Sequence, residues 1–182
     1  MIKTKLRKQI VNRRKALSKV EWKNRSNAIC DRLKDSLLFN QSNTIFAYFS
    51  FKQEVDLSPL FSLNKQWAFP RCVNKSLVWH SWRLGDSLIE DKYGIQTPLK
   101  TAPIVPVSSA DIILVPTVAG DSRGYRLGYG GGFYDRLLAS PSIPHVFTIG
   151  IVFDFSFYES LPVDSWDRKL NSICTETKFL NI

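Results

Sequence analysis

The 182-residue chain predicts a layered α/β fold with a mostly parallel sheet covered on both faces. Three observations lead there. Helical segments with one apolar side alternate with short strand segments. The strand segments are apolar throughout instead of alternating, as in Ile112–Thr117 (IILVPT). A loop holding six of the nine glycines, Gly120–Gly132, follows that strand, where ligands sit in such folds.

The elements follow in order. Residues 2–17 predict a helix with Leu6, Ile10, Val11 and Leu17 on one side and cations on the other. Ser18-Lys-Val-Glu21 is a capping box that opens a second helix. Trp22, Ser26, Ile29, Leu33 and Leu37 recur along it at helical spacing. Thr44–Phe49 predicts a buried strand, and Ser58-Pro59 the first turn of another helix. Trp67–Pro70 and Leu77–Trp82 are two further strands. Residues 98–110 carry three prolines and form a connection. Phe133–Ala139 is a short helix, Val146–Val152 a strand, and Ile173–Thr175 a last one.

Composition narrows the function classes. One domain over residues 1–182 is the expectation at this length. The formal charge of +9 is not spread along the chain. Residues 1–35 carry 12 of the 25 basic side chains and 3 of the 16 acidic ones, so the remainder balances to zero. That distribution argues against a nucleic-acid coat and for a local anion site or a solvated basic helix. The apolar runs are too short to cross a bilayer, so no membrane partner is expected. The N-terminus lacks the apolar region of a secretory signal, although its arginines could suit a transit peptide. Cys30, Cys72 and Cys174 are odd in number and widely spaced, which fits inert thiols in a reducing cytoplasm. His80 and His145 alone do not suggest a histidine metal cluster.

The segment Val115–Leu138 carries the chemistry. It is neither a Walker loop nor a clean dinucleotide fingerprint. Its parts still suit a phosphate. Glycines permit close backbone approach, successive amides can form an anion nest, and the following helix adds a positive end. Arg126 supplies a charged donor fork, and Asp135 is spaced to hold magnesium on phosphate oxygens. By residue type alone the same stretch could be a connecting turn. Lys3 and Arg7 could be helix-surface charges, Glu54 and Asp167 loop carboxylates, and Phe49 and Tyr93 core aromatics.

The stretch RLGYGGGFYDR, Arg126–Arg136, resembles the signature of the 5-formyltetrahydrofolate cyclo-ligases, also called methenyltetrahydrofolate synthetases. The resemblance runs along the chain through KTKLR at Lys3–Arg7 and FSFKQEVDLSPL at Phe49–Leu60. It continues in FPR at Phe69–Arg71, GIQTP at Gly94–Pro98 and LPVDSWDRKLNSICTE at Leu161–Glu176. It implies a three-layer α/β/α sandwich similar to the ribose-phosphate isomerase and CoA-transferase group. It also implies ATP-driven, magnesium-dependent conversion of 5-formyltetrahydrofolate to 5,10-methenyltetrahydrofolate, with ADP and phosphate released.

By matching positions, the resemblance implies ATP contacts at Lys3, Arg7 and the loop Arg126, Leu127, Gly128, Tyr129, Gly130, Gly131, Gly132, Phe133 and Tyr134. Folate contacts are implied at Phe49, Glu54, Tyr93 and again at Tyr129–Phe133. Asp135 and Asp167 match magnesium ligands. A nucleotide role for residues 3–7 argues against a cleaved leader. A cytoplasmic monomer is expected. Two positions depart from the common pattern: Asn171 replaces an acidic residue, and Thr97 stands where many bacterial members have glutamate. Two other readings remain at this point. One is a nucleic-acid binder using the basic first helix. The other is a different ATP or sugar-phosphate enzyme on the same fold.

Overall fold

The computed structural model describes residues 2–141, 143 and 145–182. Two helices open the chain, α1 (Ile2–Lys15) and α2 (Lys19–Asp35), followed by a short α3 (Leu37–Gln41) and strand β1 (Thr44–Phe46). Next come β2 (Gln66–Val73), β3 (Ser76–Ser81), β4 (Leu88–Glu90), β5 (Gln96–Pro98) and β6 (Ile112–Pro116). The second half holds β7 (Ala119–Asp121), β8 (Arg126–Leu127), α4 (Phe133–Leu138), β9 (Phe147–Ile151), β10 (Phe157–Tyr158), β11 (Ser172–Cys174) and β12 (Phe179–Asn181).

The main sheet has seven strands in the order β12-β11-β9-β6-β1-β2-β3. The central pairings from β11 to β2 are parallel, and β12 and β3 close the edges antiparallel. Alternate residues of one strand enter different cores. Ile112 and Leu114 pack with Ile29 and Leu33 of α2, whereas Ile113 and Val115 pack with Leu137 and Leu138 of α4. Both faces are thus apolar, which is why the strands read as continuous apolar runs. The layered α/β expectation holds, with few helices.

The capping box forms: Glu21 N–H donates to Ser18 Oγ at 3.1 Å. Ser26, the small residue inside an apolar stripe, is buried and accepts from Asp56 N–H at 3.0 Å. Its hydroxyl thereby anchors the turn after β1. Four expectations need correction. The second helix stops at Asp35, and Leu37 begins α3 after Ser36 caps it. The strand expected over Thr44–Phe49 ends at Phe46. Ser58-Pro59 opens only one 3-10 turn, Ser58–Leu60, without a side-chain cap. The stretch Gly120–Gly132 is not all loop, because β7 and β8 form a hairpin there, joined by β10 in a three-stranded sheet. These strands are too short to show a period. Asp121 makes the hairpin: its carboxylate accepts from the backbones of Arg123, Tyr125 and Leu161.

The order of strands positions the site. From β1 the chain runs outward to β2 and β3, then returns to β6 on the other side of β1. The sheet therefore reverses direction between β1 and β6, and ligands in open α/β sheets bind beyond the carboxyl ends at that point. The turn holding Glu54 follows β1, and the glycine-rich segment follows β6.

Candidate active site

Residues 128–132 connect β8 to α4. Gly130 and Gly132 have φ of 99° and 66°, conformations that a side chain would strain. Gly132 caps the short α4 without a side-chain hydrogen bond. Arg126 and Asp135 are paired across this turn, with Arg126 Nη2 donating to Asp135 Oδ1 at 2.7 Å. The Arg126 side chain is 3% exposed and that of Asp135 25%. Burial lowers the pKa of Arg126, and the negative charges of Asp135 and Asp167 oppose that shift. Asp135 and Asp167 therefore act on one guanidinium. Arg126 Nε is buried with no partner among the described residues, as is the Tyr134 hydroxyl. Two buried polar groups without partners beside a glycine turn fit a site meant for an anionic ligand.

Helix α1 lies along this turn. Arg7 Nε donates to Gly128 O at 2.7 Å, and its guanidinium lies where a Cβ at Gly130 would meet it in ordinary van der Waals contact. Lys3 Nζ bridges Asp164 Oδ2, at 2.6 Å, and Asp167 Oδ2. Farther along, Arg14 is 3% exposed. It donates from Nε to Lys52 O at 2.9 Å and from Nη2 to the Tyr129 hydroxyl. Cations were expected on the solvent side of this helix. Lys3, Arg7 and Arg14 instead share the inward stripe with Ile10, at steps of four, three and four residues. Their partners are carboxylates and carbonyls of the loops, which solvate them in place of water.

Glu54 is 5% exposed. Its Oε2 accepts from Phe51 N–H at 3.1 Å. Burial pushes its carboxyl up to about 7, against the opposing pull of Arg14, the Phe51 amide and the Tyr129 hydroxyl. Phe51 meets the Tyr129 ring edge-on at 6.3 Å. Phe49 stacks on Phe69 at 4.1 Å and meets Trp82 at 5.2 Å, so it joins an aromatic wall of the core. Leu127 is buried in the small cluster under α1, with Ile10 and Leu161. Phe133 carries the Arg136 guanidinium over its ring at 5.1 Å.

The structure thus brings Lys3, Arg7, Glu54, residues 126–135 and Asp167 together. Tyr93 stands apart, 47% exposed in the β4–β5 turn, although the neighbouring Gly94 approaches Phe51. Arg14, Phe51 and Asp164 were missed by sequence reasoning. The helical spacing from Lys3 through Arg7 to Arg14 is the signal that could have found the first. The departures find plain roles. The Asn171 side chain accepts from Thr148 N–H and Oγ1 at 2.8 Å each, at the amino ends of β9 and β11. Thr97 accepts from Arg71 Nη1 at 2.8 Å and donates to Ile89 O at 3.1 Å. The three cysteines are free thiols. Burial pushes Cys30 and Cys174 each up to about 12.

Among the described residues no three His, Cys, Asp or Glu side chains form a ready metal cage. Asp135 Oδ2 and Asp167 Oδ1 nevertheless take no hydrogen bond there. Two hard oxygen donors with no further protein ligands suit a magnesium ion that keeps water and phosphate oxygens in its shell.

Comparison with known proteins gives the family and the fold. The model of the 5-formyltetrahydrofolate cyclo-ligase family matches residues 1–176. The 5-formyltetrahydrofolate cyclo-ligase of Escherichia coli K12 is 28% identical over 179 residues, covering 93% of this chain and 97% of the relative. The solution structure of the 5,10-methenyltetrahydrofolate synthetase of Aquifex aeolicus superposes with a TM-score of 0.88 at 32% identity. It covers 100% of this chain and 93% of its own. A methenyltetrahydrofolate synthetase of Mycoplasma pneumoniae shares the fold, with a TM-score of 0.77 at 23% identity over 97% of this chain and 99% of that one.

Proposed function

The chain belongs to the 5-formyltetrahydrofolate cyclo-ligase family, and from that premise we propose that its switch-point site phosphorylates the formyl oxygen of 5-formyltetrahydrofolate with ATP. Cyclo-ligase activity turns 5-formyltetrahydrofolate into 5,10-methenyltetrahydrofolate. The chemical obstacle is the formyl carbon, a poor electrophile because the N5 lone pair is delocalised into it. The formyl oxygen attacks the γ-phosphorus and ADP leaves. The N10 amine then adds to the activated carbon and gives up its proton. The C–O bond breaks, and the oxygen departs with phosphate.

No protein nucleophile is required, and the sequence offers no Ser-His-Asp or Cys-His arrangement near the glycine turn. The protein's task is to align two ligands and neutralise charge. Arg7, Arg126 and the amides of Gly128–Gly132 hold the phosphates, with Leu127, Tyr129, Phe133 and Tyr134 forming the nucleotide side of the turn. Lys3 hands part of its charge from Asp164 and Asp167 to the γ-phosphate. Asp135 and Asp167 would hold magnesium, which would supply charge neutralisation for the phosphoryl group in transfer. Glu54 accepts hydrogen bonds from the donor edge of the pterin. Phe49 and the exposed Tyr93 bound the folate side, and Tyr129–Phe133 separate the two ligands.

The observation that carries this reading is the arrangement around Arg126. A buried guanidinium has one nitrogen on Asp135 and another without a partner, at the mouth of a glycine turn that Arg7 braces. Absorbance-monitored formation of 5,10-methenyltetrahydrofolate tests it. Product should form only with 5-formyltetrahydrofolate, ATP and magnesium together. Product without ATP, or ATP hydrolysis indifferent to the folate, would overturn it.

A further inference from the structure

We infer that Arg14 is a positioning residue for Glu54, acting through the Tyr129 hydroxyl, and that this bridge couples the glycine turn to the folate side of the site. The inference rests on Glu54 being the folate contact.

The geometry fixes the direction of the bridge. A guanidinium carries donors and no acceptor, so the Tyr129 hydroxyl accepts from Arg14 Nη2. Its single proton is then left for the Glu54 carboxylate, which it faces. Arg14 Nε is meanwhile tied to Lys52 O, two residues before Glu54. One guanidinium therefore grips both the turn that carries Glu54 and the turn that carries the glycines. Arg14 has no ion-pair partner within 4 Å among the described residues, and Glu54 supplies the nearby compensating charge. A nearly buried cation and a nearly buried anion are balanced across one phenol.

The charged and titratable groups facing Glu54 come from four elements: Arg14 from α1, Tyr48 beyond β1, Tyr129 from the glycine turn and Tyr134 from α4. Arg14 is the one cation in that set. Without it the Glu54 pKa would rise above its value of about 7, and the carboxyl would shift toward its protonated form at neutral pH. A protonated carboxyl offers fewer acceptor sites to the N–H edge of a pterin. The Arg14 charge thus favours the accepting form of Glu54, and the tyrosine aims it.

The test measures kcat/KM for 5-formyltetrahydrofolate against pH, with ATP saturating, in the wild type and in Glu54→Gln, Arg14→Gln, Arg14→Lys and Tyr129→Phe. In Arg14→Gln the inflection should move to higher pH. The loss should be roughly tenfold at neutral pH and fade at alkaline pH. Arg14→Lys should keep the wild-type inflection. Tyr129→Phe, which conserves the ring, should raise the folate KM by a larger factor than the ATP KM. A loss in Arg14→Gln that is uniform across pH, with a lowered Tm, would make Arg14 merely structural and overturn the inference. An unchanged folate KM in Glu54→Gln would instead overturn the reading of Glu54, and the inference with it.

Discussion

At the residue scale the site is a set of charges held against their preference for water. Glu54 shows the cost most directly. Its folded pKa of about 7 lies above the ordinary carboxyl value of 4.5, so the folded state binds more protons than the unfolded state between those limits. Stability should therefore fall as pH rises from about 4.5 to 7, by up to about 3 kcal/mol. Glu54→Gln should lack that slope, which thermal unfolding at several pH values checks. Asp135 shows the opposite case, a carboxylate placed for use. Asp135→Ala should lower kcat by about a hundredfold or more, with Arg126→Ala close behind. Near wild-type turnover by purified Asp135→Ala would remove the proposed magnesium role. Arg126, Asp135 and the glycines were legible because they sit in one unbroken stretch of sequence. Arg14 was not, because a helical arginine is most often solvated, and only the fold shows that its stripe faces inward.

At the element scale α1 and the glycine turn form one unit. The helix touches the turn through Arg7 and Arg14 and the Asp164–Asp167 loop through Lys3. Below these contacts Leu6, Ile10 and Val11 pack on Val118, Leu127 and Leu161. The apolar contacts fix the helix, and the polar contacts aim it. The glycine turn needs its special backbone at Gly130, where φ is 99°. Gly130→Ala should strain the turn by about 1–3 kcal/mol. The expected readout is a rise of roughly tenfold in the ATP KM with a Tm lower by about 2–10 °C, measured by steady-state kinetics and thermal unfolding. The short hairpin of β7 and β8 was invisible in sequence because two or three residues cannot show alternation. Its cause, the buried Asp121 collecting three backbone donors, depends on residues as distant as Leu161.

At the scale of the whole molecule, the layered fold was readable from the apolar strands, because both sheet faces are covered and neither needed polar residues. The order of the strands was not readable, since pairing β1 with β6 is a contact between distant segments. That order makes the switch point and brings Glu54 opposite the glycine turn. The strongly basic first 35 residues also gain a structural meaning. Three of their cations face the site, while Arg25 and Arg32 bind Glu176 and Lys34 pairs with Asp31. A phosphate site built on such charges is screened by salt. Raising ionic strength should therefore raise the ATP KM several-fold and leave the folate KM nearly unchanged. Phosphorylation of the substrate fixes the fate of one atom, the formyl oxygen. Turnover of 5-formyltetrahydrofolate labelled with oxygen-18 in the formyl group, followed by mass analysis of the released phosphate, tests it directly. One labelled oxygen should appear in phosphate for each methenyl product formed. Unlabelled phosphate, with the label in water, would contradict phosphorylation of the formyl oxygen.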